Sequence, residues 1–125
     1  MAKKILLIDD SELSRKTFSE ILTGAGYNTA EAGSTVEMIS MLEKQKYDLI
    51  LLDINMPGLS GFEALRIIKA NSSWKDIPVF ALTGISKSLD DIHTFQGIGA
   101  AGFIDKDVDK ESFLFRIKAA FGDKV

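Results

Sequence analysis

Six residues of this 125-residue chain have types that could do chemistry together: Asp9, Asp10, Asp53, Asn55, Thr83 and Lys106. Each lies at or just after the end of an apolar run. Asp9 and Asp10 follow ILLI, Asp53 and Asn55 follow LILL, Thr83 follows VFAL, and Lys106 follows GFI by one residue. Carboxylates crowded into one site raise one another's pKa unless a cation relieves them. Hard oxygen donors with few protein contacts and room for water suit octahedral Mg²⁺. An ammonium and a hydroxyl beside them would stabilise a phosphoryl oxyanion. The Asp53 carboxylate could then attack phosphorus, because phosphoryl transfer depends mostly on positioning and charge stabilisation.

That chemistry requires the runs to be strands whose ends meet. The stretch from Tyr47 to Asp53 is a nearly unbroken apolar run, as expected of a strand buried on both faces. Asn55, Pro57 and Gly58 break it into a turn, and Ser60-x-x-Glu63 has the form of a capping box opening a helix with Phe62, Leu65 and Ile68. Lys4 to Asp9 gives the first strand. Ser11 is the expected N-cap of a helix carrying Leu13, Thr17, Phe18, Ile21 and Leu22, with Gly24 and Gly26 at its end. Asp10 could also cap that helix. Tyr27 to Ala32 reads as a short, more exposed strand ending at Gly33. Ser34-x-x-Glu37 opens a second helix whose face is marked by Val36, Ile39 and Leu42. After a polar loop from Asn71 to Pro78 come the strand Val79–Leu82 and a weaker helix from Ser88 to Gly97 with Ile92 and Phe95. Gly102 to Ile104 form a very short strand, and Asp109 caps a last helix with Phe113, Ile117 and Phe121.

A βα unit repeated five times predicts an α/β fold: a doubly wound parallel sheet with helices on both faces and right-handed crossovers. At this size the flavodoxin-like order 2-1-3-4-5 is expected. In that order the first and third strands are neighbours at the switch point, which brings Asp9, Asp10 and Asp53 together. The chain is expected to be one domain over 1–125, long enough to bury roughly two-thirds of its unfolded surface.

Composition narrows the classes. The chain is 46% hydrophobic and 26% charged, as soluble domains are. Having no cysteine, it has no disulfide, thiolate metal site or redox dithiol, and its one histidine leaves little room for a His-based triad. With net charge -3 and no basic run, nucleic-acid binding is disfavoured. No run approaches the ~20 apolar residues of a membrane span. MAKKILLIDD reads as a strand and not a signal peptide, so the cytoplasm is the expected location. His93 is expected on a helix surface, Trp74 in a loop at the amino end of the strands as a packing residue, and Met38, Met41 and Met56 in packing or loops.

Asp9-Asp10, Asp53-Ile-Asn-Met-Pro-Gly, Thr83 and Lys106 together resemble the receiver domain of two-component response regulators, over essentially the whole chain. The resemblance implies that Asp53 accepts a phosphoryl group from a partner's phosphohistidine. It implies Mg²⁺ held by Asp10, Asp53 and the Asn55 backbone carbonyl, with Asp9 orienting a metal-bound water. Lys106 would contact Asp53 and then the phosphoryl group, and Thr83 would donate to a phosphoryl oxygen. Phe103 resembles the family's switch aromatic, which turns inward as Thr83 moves. The readout face would be the fourth helix, fifth strand and fifth helix. Asn55 and Ile85 occupy positions that influence hydrolysis rate in the family. The implied partners are a sensor histidine kinase or histidine phosphotransfer protein and a downstream protein target, with the chain a monomer or a phosphorylation-dependent dimer. With no output domain following, a single-domain regulator or relay step is expected, with modest autophosphorylation and autophosphatase chemistry and not a dedicated enzyme.

Three positions depart from the family pattern. Asp107 replaces the usual proline after Lys106, which predicts a trans or looser loop and adds an anion beside the lysine. Gly84 follows Thr83 where a small residue with a Cβ is common. Phe103 lacks the hydroxyl of the commoner tyrosine. Three other functions compete. A haloacid-dehalogenase-type Mg²⁺ phosphohydrolase would need an acid/base Asp where Asn55 stands, and a cap domain. A flavin or nucleotide binder would need a Gly/Ser/Thr-rich phosphate loop where Asp9 and Asp10 stand. A phosphorylation-independent receiver-like binding module is the third.

Overall fold

The computed structural model describes residues 2–54, 61–84 and 89–122. The elements alternate strictly: β1 (Lys4–Ile8), α1 (Glu12–Gly24), β2 (Asn28–Ala32), α2 (Thr35–Lys44), β3 (Leu49–Asp53), α3 (Gly61–Ala70), β4 (Val79–Thr83), α4 (Leu89–Ile98), β5 (Gly102–Asp105) and α5 (Lys110–Ala120). The strands form one parallel sheet in the order β2-β1-β3-β4-β5. The expected doubly wound α/β architecture is therefore the observed one. Among the described residues no helix is long and apolar enough to cross a membrane.

The apolar runs make the sheet's two faces. Successive strand residues point to opposite sides, so Leu6, Ile8, Ile50, Leu52, Val79 and Ala81 join one cluster with Met38, Leu42, Leu65, Ile68 and Phe95. Ile5, Leu7, Leu49, Leu51, Phe80, Leu82 and Ile104 join the other with Phe18, Leu22, Phe113 and Ile117. Hence α2, α3 and α4 cover one face, and α1 and α5 the other. β1, β3 and β4 need side chains apolar on both faces, which is why they read as unbroken runs. β2 is an edge strand, and most of its residues are half-buried or exposed.

Three helix caps match expectation, and that of α5 is Asp109, which accepts from the Ser112 N–H at 3.3 Å. Ser11 accepts from the Ser14 N–H at 3.2 Å, and Ser34 accepts from the Glu37 N–H at 3.2 Å. Glu37 reaches back to the Gly33 N–H, one residue before the cap, at 2.5 Å. Ser60, the expected cap of α3, lies outside the described residues, as do Asn55, Met56, Pro57, Gly58, Ile85 and Ser88.

Three details correct the expected pattern. Leu13 and Val36 are 77% and 78% exposed and are not on their helices' buried faces. In α2 the buried stripe is Thr35, Met38 and Leu42, and Val36 is turned about 100° from Thr35. In α1 the stripe is Phe18 and Leu22, and Leu13 shares an exposed row with Thr17. Tyr27 is not in β2: its N–H bonds to the Leu22 carbonyl, closing α1. Trp74 is half-buried against the core at the amino end of the sheet, and His93 is exposed on α4, as expected.

Candidate phosphoacceptor site

The sheet register gathers the chemistry. Ile8 is opposite Leu52, so the next residues, Asp9 and Asp53, leave the sheet side by side. Asp53 is opposite Leu82, and Thr83 is opposite Asp105. In a parallel sheet the carboxyl ends of all strands lie on one edge, so Asp9, Asp53, Thr83 and Lys106 share that edge. Asp9 is 0%, Asp53 4% and Thr83 9% exposed, while Asp10 is exposed. One carboxylate oxygen from each of Asp9, Asp10 and Asp53 lies within 4.8 Å of the others. Three hard oxygens converging at that spacing, one of them open to solvent, fit a small divalent cation that keeps several waters.

Lys106 enters this cluster from β5. Its backbone N–H donates to the Thr83 carbonyl at 2.8 Å, which extends the β4–β5 pairing to the lysine. Its ammonium donates to Asp9 Oδ2 at 2.7 Å and lies 3.6 Å from Asp53 Oδ2. The direct hydrogen bond is therefore to Asp9, and Asp53 receives the longer ion pair. Burial pushes the Asp9 carboxyl up. The Lys106 hydrogen bond, the Ser11 N–H, the Ser14 bond and the ammonium's charge outweigh burial and hold it below the usual carboxylate value.

The turn after Lys106 settles the departure at Asp107. Among the described residues every peptide bond is trans. Asp105 Oδ1 accepts the Asp107 N–H at 2.8 Å, and the Val108 N–H donates to the Asp105 carbonyl at 3.2 Å. This Asx turn supplies the tight bend that proline gives elsewhere, so the loop is trans and held, not loose. Among the described residues, no atom comes within 4 Å of where a Cβ at Gly84 would stand. Phe103 is half-buried, its ring 6.1 Å from that of Phe95 and edge-on to it, and its carbonyl accepts Arg116 Nη2 at 2.5 Å. Asn55, expected to lend a carbonyl to the metal, lies outside the described residues.

Two supporting residues were not singled out from the sequence. A Cβ at Gly61 would sit 2.6 Å from the Asp53 carbonyl oxygen and 2.6 Å from the Ile54 Cα, so only glycine lets α3 start this close to the end of β3. The Gly61 N–H bonds to the Ile54 carbonyl at 3.2 Å. Arg15, one turn into α1, donates from Nη1 to the Asp9 carbonyl at 2.6 Å. Glycine and arginine at such positions carry no sequence signal by themselves, because the need for them arises only where two turns approach laterally.

A family model described as the response regulator receiver domain matches residues 5–118. The chain is 32% identical over 123 residues to the polar-differentiation response regulator DivK of Brucella ovis, covering 98% of this chain and 99% of that protein. In structure it is similar to the chemotaxis protein CheY4 of Vibrio cholerae, with a TM-score of 0.90 and 28% identity over 96% of this chain and 99% of the other. A CheY-like response regulator receiver domain protein from Methanospirillum hungatei superposes with a TM-score of 0.88 at 28% identity, over 98% of this chain and 95% of that one.

Proposed function

Because the chain belongs to the response regulator receiver family, we propose that residues 1–125 form a single receiver domain whose Asp53 takes a phosphoryl group from phosphohistidine. The donor would be a sensor histidine kinase or a histidine phosphotransfer protein, in the cytoplasm. The observation that carries this reading is the meeting of three carboxylates within 4.8 Å of one another, with the Lys106 ammonium on two of them.

Each residue has a role in that transfer. An Asp53 carboxylate oxygen forms the new O–P bond as the P–N bond to the donor imidazole breaks, and the imidazole nitrogen leaves with the electron pair. Asp53 is almost wholly buried at the end of a central strand, so its carboxylate is held in one orientation and water has little access to it. Lys106 supplies a fixed positive charge for the phosphoryl oxygens that replace its present contacts, and Thr83 donates its hydroxyl to one of them. Asp10, Asp53 and the Asn55 backbone carbonyl would hold Mg²⁺, with Asp9 orienting a metal-bound water; the ion, when bound, offsets the charge on the phosphoryl oxygens. The acyl phosphate is then hydrolysed slowly by the domain itself. Thr83 and Phe103 act as the switch pair that alters the α4-β5-α5 face for a downstream protein, with or without dimerisation. The relatives' names speak of polar differentiation and chemotaxis in their own organisms.

The test is intact mass of wild type and Asp53→Asn after incubation with Mg²⁺ and phosphoramidate. One phosphate adduct on wild type alone is the expected result, and EDTA prevents it. Undiminished labelling of Asp53→Asn would remove Asp53 from its role. No adduct on wild type, together with no response to beryllofluoride, would favour a phosphorylation-independent binding module.

A further inference from the structure

We infer that Arg15 is a positioning residue for the acidic pair, acting through the peptide that joins Asp9 to Asp10; this rests on the Mg²⁺ reading above. Arg15 Nη1 donates to the Asp9 carbonyl at 2.6 Å. That carbonyl belongs to the Asp9–Asp10 peptide, which is planar. Fixing its oxygen fixes the plane from which both carboxylates depart. Asp9 is already anchored at its N–H by the Ala32 carbonyl, 3.1 Å away, and at its two carboxylate oxygens by the Ser11 N–H and Lys106. The Ser11 bond closes a turn across Asp10 and holds the peptide on its carboxyl side, while the Asp10 side chain is exposed beyond the β1 ladder. The Arg15 bond holds the peptide on the amino side of Asp10, the one it shares with Asp9.

The guanidinium is itself held. Its Nε lies 3.4 Å from Glu31 Oε1 on β2, and its side chain is 18% exposed. It packs over Gly33: a Cβ there would stand 2.9 Å from Arg15 Nη1 and 3.2 Å from Glu37 Oε1. Gly33 is thus a seat for the guanidinium, between the end of β2 and the N-terminus of α2. Arginine carries its charge at every working pH and offers a planar fork of donors, so one side chain can bond the Asp9 carbonyl and face Glu31 together. Partners that orient metal ligands are typically worth 10–100-fold in metal affinity.

The measurement is Mg²⁺ affinity by NMR titration of ¹⁵N-labelled protein, following the amides of residues 9–11 and 53, with thermal unfolding recorded alongside. Arg15→Ala is expected to weaken Mg²⁺ binding about 10-fold. Gly33→Ala keeps the arginine and displaces only its flexible tip, and it is expected to weaken binding in the same direction. Arg15→Lys, which retains a donor and loses the fork, falls between. Saturating Mg²⁺ restores the phosphoramidate labelling rate of each variant, which separates positioning from chemistry. Wild-type affinity in all three variants, whatever their melting temperatures, would overturn the inference. Failure of wild type itself to bind Mg²⁺ would instead overturn the functional reading. If Arg15→Ala does not fold, Gly33→Ala and Arg15→Lys still decide the matter.

Discussion

At the scale of single residues, the nearer partner of Lys106 is Asp9 at 2.7 Å, not Asp53 at 3.6 Å. The ammonium therefore compensates a wholly buried carboxylate while remaining in reach of the one proposed to react. This has a pH consequence. A carboxyl whose folded pKa lies below its unfolded value contributes stability above the unfolded value and loses it as pH falls through the folded one. Asp9 is such a group, with an ordinary value of 3.8 and a folded value below it. In metal-free buffer, stability should therefore hold near pH 5 and fall as the pH is lowered below about 4. Lys106→Met removes the principal bond that opposes burial, so the Asp9 carboxyl should rise from its lowered position. The variant should then lose less stability than wild type on acidification through this range. Urea midpoints across this range decide the matter, and parallel slopes for both proteins would mean that the lysine does not govern Asp9. Gly61 gives a second residue-scale expectation. A Cβ there meets backbone oxygen, which cannot swing aside. Gly61→Ala should cost on the order of 1–3 kcal/mol and slow phosphoramidate labelling, because the displaced atoms include the Asp53 carbonyl. The acidic residues, Thr83 and Lys106 were legible from sequence because each terminates an apolar run. Arg15, Gly33 and Gly61 were not, since their roles depend on distances between turns far apart in the chain.

At the scale of elements, the βα alternation was readable because the runs at 5–8, 49–52 and 79–82 are too short and too apolar for anything but buried strands. The helix faces were less legible. Val36, Ile39 and Leu42 have helical spacing, and so do Thr35, Met38 and Leu42. Periodicity alone cannot choose between rows one residue apart. Geometry chose the row containing Thr35 because the cap at Ser34 fixes where the first turn faces. The difference is measurable. Val36→Ser should change stability by less than about 0.5 kcal/mol, as expected of an exposed site. Met38→Ala, at a position with no exposure, should cost about 2–5 kcal/mol. Equal costs in urea denaturation would mean that the α2 face is turned differently from its placement here. Leu13 was misplaced for the same reason, being in the first turn of α1, ahead of the stripe that begins at Phe18.

At the scale of the whole molecule, the strand order could be expected from the number and size of βα units, and with right-handed crossovers that order sets α1 on one face and α2, α3 and α4 on the other; the face of α5, which no strand follows, could not be read. That division matters for signalling, since β5 is an edge strand that touches both layers. Phe103 meets Phe95 of α4 through its ring, and Arg116 of α5 through its carbonyl. Phe95 in turn lies 4.6 Å from Phe62 of α3, the two rings tilted at 46°. Three residues on, just past the end of β5, Lys106 is in the acidic cluster and its N–H is bonded to the Thr83 carbonyl. A charge change at Asp53 thus has a short physical route to α4 through an aromatic side chain, and a separate one to α5 through backbone. Reversing a 1:99 population needs a preference of about 5.5 kcal/mol between the two states. On the proposed reading, new phosphoryl contacts of Lys106 and Thr83 would supply it. Beryllofluoride with Mg²⁺ should therefore shift amide resonances in residues 92–98 and 113–117 of wild type as well as those at 9, 10 and 53. Phe103→Ala cuts the ring route and leaves the Arg116 bond. Its α4 shifts should shrink to a small fraction of wild type, while those at the site and in α5 persist. If α4 responds in full without the ring, the coupling runs through the β4–α4 connection and not through Phe103.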